Sequence, residues 1–536
     1  MSDAWPLDPV VVLGNGPVGQ TAALLLARWG VPAVLLDQRP RRDPVGSKAI
    51  CQQRDVLDIW ESVGAGARIA AEGVTWTTAR TFHRGRELFS HSFADAGRSA
   101  FPPFVNISQS RTEQVLDECI AAEPLIDVRW GQRVVDVAQD VDGVTLRSAD
   151  GTGLRAPYLL ACPGAGGGEL RRRLGVSFDG RSFADRFLIC DIGTDLPALA
   201  TERRFHFDPE WNPGRQVLIH PCPDSTFRID WQVPAGYDEA ALDADAATGA
   251  LDRRIRTIIG ERDYEIVWMS VYRFHSRCVD RMRVGRVLLA GDAAHLYSPF
   301  GARGLNSGVA DAENAAWKIA YVGRGWAPEA LLETYHDERH AAARENLAVT
   351  TATMDFLVPQ DAAQAAYRRD VLARAADDPA ARALVDSGRL AEPFWYVGSP
   401  LTTPDPTRPF GVRPPRGAVP PAGPGILVPD APVRGNGRHG SRYRAQRFRE
   451  VARDGFLLLA TDGATPAVPD GHDGTVRALR LTEIDHTGVL TAALGARPNE
   501  VWIIRPDAHV AAVLTAPSPS QIATGLHRAI ARVVEP

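Results

Sequence analysis

The stretch VVVLGNGPVGQTAALLLARWGVPAVLLD, Val10 to Asp37, restricts what this chain can fold into more than any other part of it. Its opening apolar run, ending at Gly14, has the composition of a short strand buried on both faces. The glycines of GNGPVG then form a tight turn, and Gln20 to Trp29 carries apolar residues almost continuously, as a buried helix does. Gly30 stops that helix, and a second apolar strand, Val34 to Leu36, ends at Asp37. Strand, turn, helix and strand within about thirty residues make half of a nucleotide-binding fold. Gly14 supplies the tight turn, Gly16 close approach of backbone to a pyrophosphate and Gly19 close helix packing, while the amides at the helix start face the phosphates. Asp37, eighteen residues after Gly19, stands where a carboxylate accepts hydrogen bonds from an adenosine ribose diol.

At 536 residues and 45% hydrophobic content, the chain has the length for two to four domains with their own cores. Its 60 basic and 65 acidic side chains give a net charge of -5 with no basic block, so no nucleic-acid partner is expected and a small-molecule ligand is. The N-terminal MSDAWPLDPV lacks a cationic region followed by an apolar core, and no later apolar run reaches bilayer length. A cytoplasmic protein with no membrane association is the expectation. The six cysteines are widely spread without a CxxC pair, so neither a disulfide framework nor a metal site is expected.

Further along, PYLLAC at 157–162 reads as another buried strand, and 178–280 is rich in short alternating segments such as VLIHP, FRIDWQV and EIVWMSVYRF. That alternation predicts an antiparallel sheet inserted into the nucleotide-binding domain. A buried strand returns at Arg286 to Ala290, and Leu305, Val309, Ala312, Ala316 and Ile319 share one helical stripe. Helical runs reach about Leu390, after which eleven prolines between Pro400 and Pro432 predict an extended spacer. FLLLA, EVWIIRPD and HVAAVL, between helical stretches, predict a small α/β domain at the end. The divisions are therefore 1–177, 178–280, 281–395, a proline-rich linker at 396–433, and 434–536.

Between that returning strand and the striped helix lies GDAAHLYSPFGARGLNSG, Gly291 to Gly308. With Asp292 closing the strand, its carboxylate faces sugar-alcohol hydroxyls, and the amides of Gly301 to Asn306 at the head of the next helix face an electron-rich ring edge. A flavin meets both demands, through the hydroxyls of its ribityl chain and the negative charge of its reduced ring. Pro299 and the glycines keep side chains off the ring face.

GNGPVG with Asp37, VGSKAI at 45–50, and GDAAHLYSPFGARGLNSGVADAENAAWKIA at 291–320 together resemble the flavin-dependent aromatic hydroxylases, the single-component FAD monooxygenases. The resemblance covers nearly the whole chain and is strongest to the 3-(3-hydroxyphenyl)propionate hydroxylase branch. It implies an α/β (α+β multidomain) fold: a Rossmann-like FAD-binding domain, an inserted antiparallel-sheet substrate domain and a C-terminal thioredoxin-like domain. It implies that Gly14, Gly16, Gly19 and Asp37 hold the ADP half of FAD, and Asp292 the ribityl chain. Ser47 and Lys48 would lie along the cofactor, Gln109 near its ribose or phosphates, and Gly301, Ala302, Arg303, Gly304, Leu305 and Asn306 beneath the flavin. It implies reduction of FAD by NADPH or NADH, capture of O2 as a C4a-hydroperoxide, and oxygen transfer to a phenolic or polycyclic aromatic substrate. No protein nucleophile is required.

One loop departs from the family. Where the family reads CDGARS, this chain reads CPGAGG, Cys162 to Gly167, and Pro163 offers neither a carboxylate nor an N–H to FAD or the nicotinamide cofactor. A tolerated local change and a flavoprotein without redox turnover are both compatible with it, and the same flavin frame also serves Baeyer-Villiger insertion or epoxidation. Tyr297, Pro299 and Phe300 are expected nearest the flavin, and Trp231, Gln232, Tyr272 and Phe274 of the inserted sheet are expected to contact the substrate. His295 is expected to make a structural hydrogen bond. The C-terminal domain has no cysteine, which excludes thiol redox chemistry there and leaves a homodimer contact or a packing role.

Overall fold

The computed structural model describes residues 5–6, 8–43, 46, 48–93, 99–414, 418–434, 447–472 and 474–532. Ser47 lies outside the described residues. The strand Val10–Leu13 lies inside a six-stranded sheet, parallel to Ala33–Leu36 on one side and to Leu159–Ala161 on the other. Val287–Leu289 continues the sheet in parallel, and Arg283–Val284 closes that edge antiparallel. Val10–Leu13, Ala33–Leu36, Leu159–Ala161 and Val287–Leu289 are apolar throughout because they lie inside one buried core, so no position needs to be polar. The helix after the glycine turn spans Pro17–Arg28, three residues earlier than Gln20, because Pro17 sits in the first turn, where a missing N–H costs nothing. Gly30, at φ +68°, ends it.

Pro17–Arg28 packs on the long helix Gly304–Gly323. Gly308 sets their separation: a Cβ there would lie 2.6 Å from Val18 Cγ2 and 3.2 Å from the Gly291 Cα. Any side chain at 308 would push the helix off the strand end that carries Asp292.

The second large sheet has eight strands in the order His295–Leu296, Glu265–Val279, Phe178–Gly193, Thr226–Val233, Gln216–Cys222, Glu202–Phe207, Thr78–His83 and Arg86–Ser92. It is mixed, because Thr78–His83 pairs parallel with Glu202–Phe207. Three of its strands come from outside 178–280. TARTFH and RELFSHS escape sequence reading because they are too polar to show an apolar face. One face packs Leu188, Ile219, Ile229 and Trp231 against Leu251 and Ile255 of the helix Ala250–Ile259. The opposite face looks toward the parallel sheet.

The proline-rich stretch differs from the extended spacer expected. It has no helix or long strand among its described residues, yet Ile426, Leu427 and Val428 are buried, and the Gly425 and Val428 amides donate to the Val510 and Ala508 carbonyls. It is a strap packed on the last sheet. That sheet runs Val476–Arg480, Phe456–Ala460, Glu500–Ile504, Val510–Thr515, with the first pair parallel and the others antiparallel. All six cysteines are free thiols. Among the described residues no helix is long and apolar enough to cross a membrane, and no cluster could hold a metal ion.

This last sheet docks on the Gly304–Gly323 and Ala330–Leu357 helices through buried charge. Glu338 accepts from Lys318 Nζ at 2.7 Å and from both terminal nitrogens of Arg505 at 2.5 and 2.9 Å. Burial pushes the Glu338 carboxyl up, but Arg505 and Lys318 outweigh it and hold the group well below the ordinary carboxylate range. Glu338→Ala leaves the buried Lys318 ammonium without its carboxylate and Arg505 with Asp507 alone, and is expected to cost about 3–5 kcal/mol. Denaturant unfolding followed by circular dichroism checks this: the first transition should move to lower denaturant, and an unshifted curve would mean the pair does not hold the unit in place.

Candidate cofactor and substrate site

A single cavity of about 1090 Å³ separates the carboxyl ends of the parallel strands from the inner face of the eight-stranded sheet. Ligands of α/β folds bind in that position because the strand ends deliver loops there. The glycine turn forms one part of its wall. Gly14 and Gly16 line it, and a Cβ on Gly16 would meet nothing within 4 Å, so its backbone is open to the cavity. Gly14 has φ +102°, and a Cβ on it would sit 2.3 Å from the Cys162 carbonyl oxygen. Gly19 does not line the cavity. Its absent side chain lets the helix rest on the turn, where a Cβ would fall 1.8 Å from the Gly14 oxygen.

Asp37 also lines the cavity, and its carboxylate is fully engaged. Oδ2 accepts from the Asn15 amide at 2.9 Å and from Arg39 Nη2 at 2.9 Å; Oδ1 accepts from the Arg39 amide at 2.8 Å and Arg39 Nε at 3.0 Å. Burial pushes this carboxyl up, and the bonds from Arg39 and Asn15 overcome it and lower its pKa. A carboxylate has about four acceptor positions, so a diol arriving at Asp37 must take those now held by the Arg39 side chain. Gln109 lines the same region, accepting from the Ala49 amide at 3.1 Å and donating to Glu113 at 2.9 Å.

Asp292, on the short helical turn after the Val287–Leu289 strand, is exposed to the cavity rather than packed. The surrounding protein raises its pKa, with His295 and Lys48 pulling the other way. Lys48 stands over the Tyr272 ring at 5.5 Å; burial lowers its pKa, and Tyr272 and Asp292 reverse that into a net rise. The loop that follows is held rigidly. Gly301, at φ +105°, would place a Cβ 2.2 Å from the Arg389 carbonyl oxygen, and its own carbonyl accepts from the Ala391 amide at 2.7 Å. Ala302 adopts φ 55°. The helix proper starts at Gly304, so the first-turn amides of Gly304, Leu305 and Asn306 have no acceptor within the helix. Gly304 and Leu305 line the cavity, and a Cβ on Gly304 would meet nothing within 4 Å.

Arg303 and Asn306 hold the loop in place. Arg303 donates to Asn346 at 2.5 Å and to the Arg389 and Leu390 carbonyls at 3.2 and 3.1 Å. Asn306 donates to the Cys51 carbonyl and accepts from the Gln53 amide, both at 3.0 Å. Tyr297, Pro299 and Phe300 line the cavity. Tyr297 stacks on His295 at 4.7 Å, and His295 Nε2 lies 2.7 Å from Asp311, the structural hydrogen bond anticipated for it. Phe300 meets Phe187 and Phe274 edge-on at 5.3 and 5.8 Å.

Of the four substrate-contact candidates, Tyr272 and Phe274 line the cavity and Trp231 and Gln232 do not. Along Thr226–Val233, Arg228 and Asp230 face the cavity, so Ile229 and Trp231 point to the opposite face and its helices. Gln232 has the right parity but lies farther out, donating to Asp185 at 2.5 Å. Sequence reading missed Arg203, His220, Arg228 and Asp230, and also Trp76, whose Nε1 donates to Asn106 at 3.0 Å. The signal was there: polar residues at alternate positions of otherwise apolar strands mark the face that meets a ligand.

In the CPGAGG loop, Pro163, Gly164 and Gly166 line the cavity, and a Cβ on either glycine would meet nothing within 4 Å. Together the open turn backbone, the cavity-facing Asp292 carboxylate and the first-turn amides fit a dinucleotide carrying a flat, electron-rich ring. The buried Ser298 hydroxyl on the cavity wall, without a partner among the described residues, is a further group for such a ligand to meet.

Two glycine-based cradles share one cavity beneath a mixed sheet, and this chain is an enzyme of the flavin-dependent monooxygenase class. Residues 8–350 match the model of the family described as FAD binding domain, and the chain belongs to that family. It is 29% identical over 532 residues to a 3-(3-hydroxy-phenyl)propionate/3-hydroxycinnamic acid hydroxylase of Mycobacterium sp. (strain KMS), covering 96% of this chain and 90% of that protein. It is 33% identical over 382 residues to rifampicin monooxygenase of Streptomyces venezuelae, covering 67% and 74%. Among solved structures, the flavin-dependent monooxygenase PieE, in complex with FAD and substrate, aligns with a TM-score of 0.83 at 23% identity over 98% of this chain and 99% of that one. Aklavinone-11 hydroxylase, with FAD and aklavinone, aligns with a TM-score of 0.75 at 24% identity over 99% and 100%.

Gly301→Ala forces the loop away from Arg389 or into strained backbone, at a cost of about 1–3 kcal/mol. We expect at least about a tenfold rise in the FAD dissociation constant, measured by titrating apoprotein and following flavin fluorescence. Unchanged affinity would show that the loop does not support the cofactor.

Proposed function

We propose that the enzyme hydroxylates a phenolic or polycyclic aromatic compound, with FAD as bound cofactor, NADPH or NADH as electron donor and O2 as co-substrate. The observation that carries this reading is the continuity of the cavity, which reaches from the glycine turn past Asp292 to the aromatic wall of Phe187, Phe274 and Phe300. When bound, FAD supplies the chemistry: it accepts two electrons from the nicotinamide and passes one atom of O2 to the ring.

The chain's own residues bind, orient and exclude water. Gly14 and Gly16 bring open backbone to the pyrophosphate, and Asp37 takes the adenosine ribose once Arg39 yields its acceptors. Asp292 accepts from the ribityl hydroxyls, and the first-turn amides from Gly304 to Asn306 stabilise negative charge on the ring edge. Lys48 lies between Tyr272 and Asp292 and keeps positive charge beside the cofactor. Phe187, Phe274 and Phe300 form an apolar wall against which an aromatic substrate lies away from water.

The C-terminal unit is, in this reading, a thioredoxin-like domain without thiol chemistry. The support is its strand order and directions, together with the absence of cysteine after Cys278. Its buried charge contacts with Glu338 favour a packing role.

Rapid mixing tests the main reading. NADPH or NADH should bleach the visible flavin band of the purified yellow protein, and faster with a phenolic substrate present. Absence of bleaching at any nicotinamide concentration would leave the non-redox reading, which the Pro163 loop favours. Pro163→Asp combined with Gly166→Arg restores the two groups that the family places there, and the bleaching rate should rise by about tenfold or more. An unchanged rate would make the loop irrelevant to reduction.

A further inference from the structure

The inner face of the eight-stranded sheet carries a polar recess in an otherwise apolar wall. His220 sits opposite Arg228 on the paired strands Gln216–Cys222 and Thr226–Val233, and Asp230 sits opposite Leu218 one step along. All of them line the cavity, with Arg203 from the neighbouring strand. Around them lie Phe187, Ile189, Phe274 and Trp76.

The charges of this recess balance internally. Arg228 is spent on Asp191, to which it donates through Nε at 2.7 Å and Nη2 at 2.8 Å, and its Nη1 donates to the Lys48 carbonyl at 3.2 Å. Arg203 donates to the Ser387 carbonyl at 3.3 Å, and its charge acts on Asp230. With Asp230 ionised, two guanidiniums face two carboxylates and no net charge remains for an anionic ligand. Burial beside Arg203 and Arg228 holds His220 neutral. Burial pushes the Asp230 carboxyl up to about 7, with Arg228 opposing the rise and Asp191 adding to it.

Asp230 Oδ1 and His220 Nδ1, both in the recess, have no hydrogen-bond partner among the described residues. One is an acceptor when ionised, and the other is an N–H donor in one neutral tautomer. A ring hydroxyl satisfies both at once, its O–H donating to Asp230 and its oxygen accepting from His220. A carboxylate accepts from His220 but has no proton to donate to Asp230, whose ionised form repels it, and Arg228 is already doubly bonded to Asp191.

We propose that Asp230 and His220 form the subsite that reads a neutral hydroxyl on the substrate ring, so that the enzyme selects hydroxylated aromatic rings over aryl carboxylates. This rests on the reading that the cavity holds an aromatic substrate beside FAD. It separates this chain from relatives whose names specify a propionate.

The test uses the FAD-loaded full chain and equilibrium dialysis with three probes on one ring system: a naphthalenediol, its dimethyl ether and a naphthoate. The wild-type protein should bind the diol at least about tenfold tighter than the ether, and the naphthoate most weakly. Asp230→Ala and His220→Leu should each weaken diol binding about tenfold while changing ether binding by less than about twofold. Equal losses for diol and ether, no loss at all, or a naphthoate that binds the wild type most tightly would overturn the assignment. Asp230→Asn fills the same space if the alanine variant does not fold. It removes the negative charge, so naphthoate binding should improve at least about threefold, and no improvement counts against the subsite. The FAD dissociation constant, measured on the same preparations, reports the broader functional reading separately. Dialysis reads the probes whether or not flavin is bound.

Discussion

Everything at the centre of this molecule hangs on one buried carboxylate, Asp311. It lies in the long helix after the second glycine cradle and has no contact with solvent. One oxygen accepts from the Gly291 amide at 3.0 Å and lies 2.7 Å from His295 Nε2; the other accepts from Arg339 Nε at 2.7 Å. Burial pushes its pKa up, but His295 and Arg339 more than compensate and lower it. A buried ion is tolerated only when its acceptors are satisfied in good geometry. Satisfying Asp311 requires the strand end, the loop and two helices to meet in one arrangement, and that arrangement aims Asp292 and the first-turn amides into the cavity.

The same logic extends outward. Arg339 also donates to the Tyr396 hydroxyl at 3.0 Å and the Ser307 carbonyl at 3.2 Å. Next to it in the chain, Glu338 gathers Lys318, Asn314, Ser399 and Arg505. Helix, strap and last sheet are therefore joined by polar contacts that must be complete to be stable at all. Charge here serves to specify one docking geometry, while the apolar contacts of Trp317 and Tyr321 with Phe456 supply area.

Several cavity-lining segments stand out in the sequence because each carries its chemistry within a few residues. The glycine turn, Asp37, Asp292 and the loop at 301–306 are each readable from short segments, since glycine backbone and carboxylates at defined steps are a local pattern. What escaped were positions whose meaning depends on strand parity and partners. Trp231 is the right residue type on the wrong face, and Asp230 beside it looks ordinary until the alternation is fixed by pairing with Leu218. Gly308 likewise acquires its role from an element far away in the chain, the helix that carries Val18.

By itself the sequence determined the strand, turn and helix order at both cradles and the lack of thiol chemistry at the end of the chain, because these depend on residues within a few turns of one another. Only the tertiary structure decided that the two cradles share one cavity, that polar strands from 78–92 complete the roof, that the proline-rich stretch packs instead of dangling, and that Arg39 occupies the acceptors of Asp37. Those outcomes turn on pairing between residues far apart in the chain, which no local pattern of apolar and polar side chains encodes.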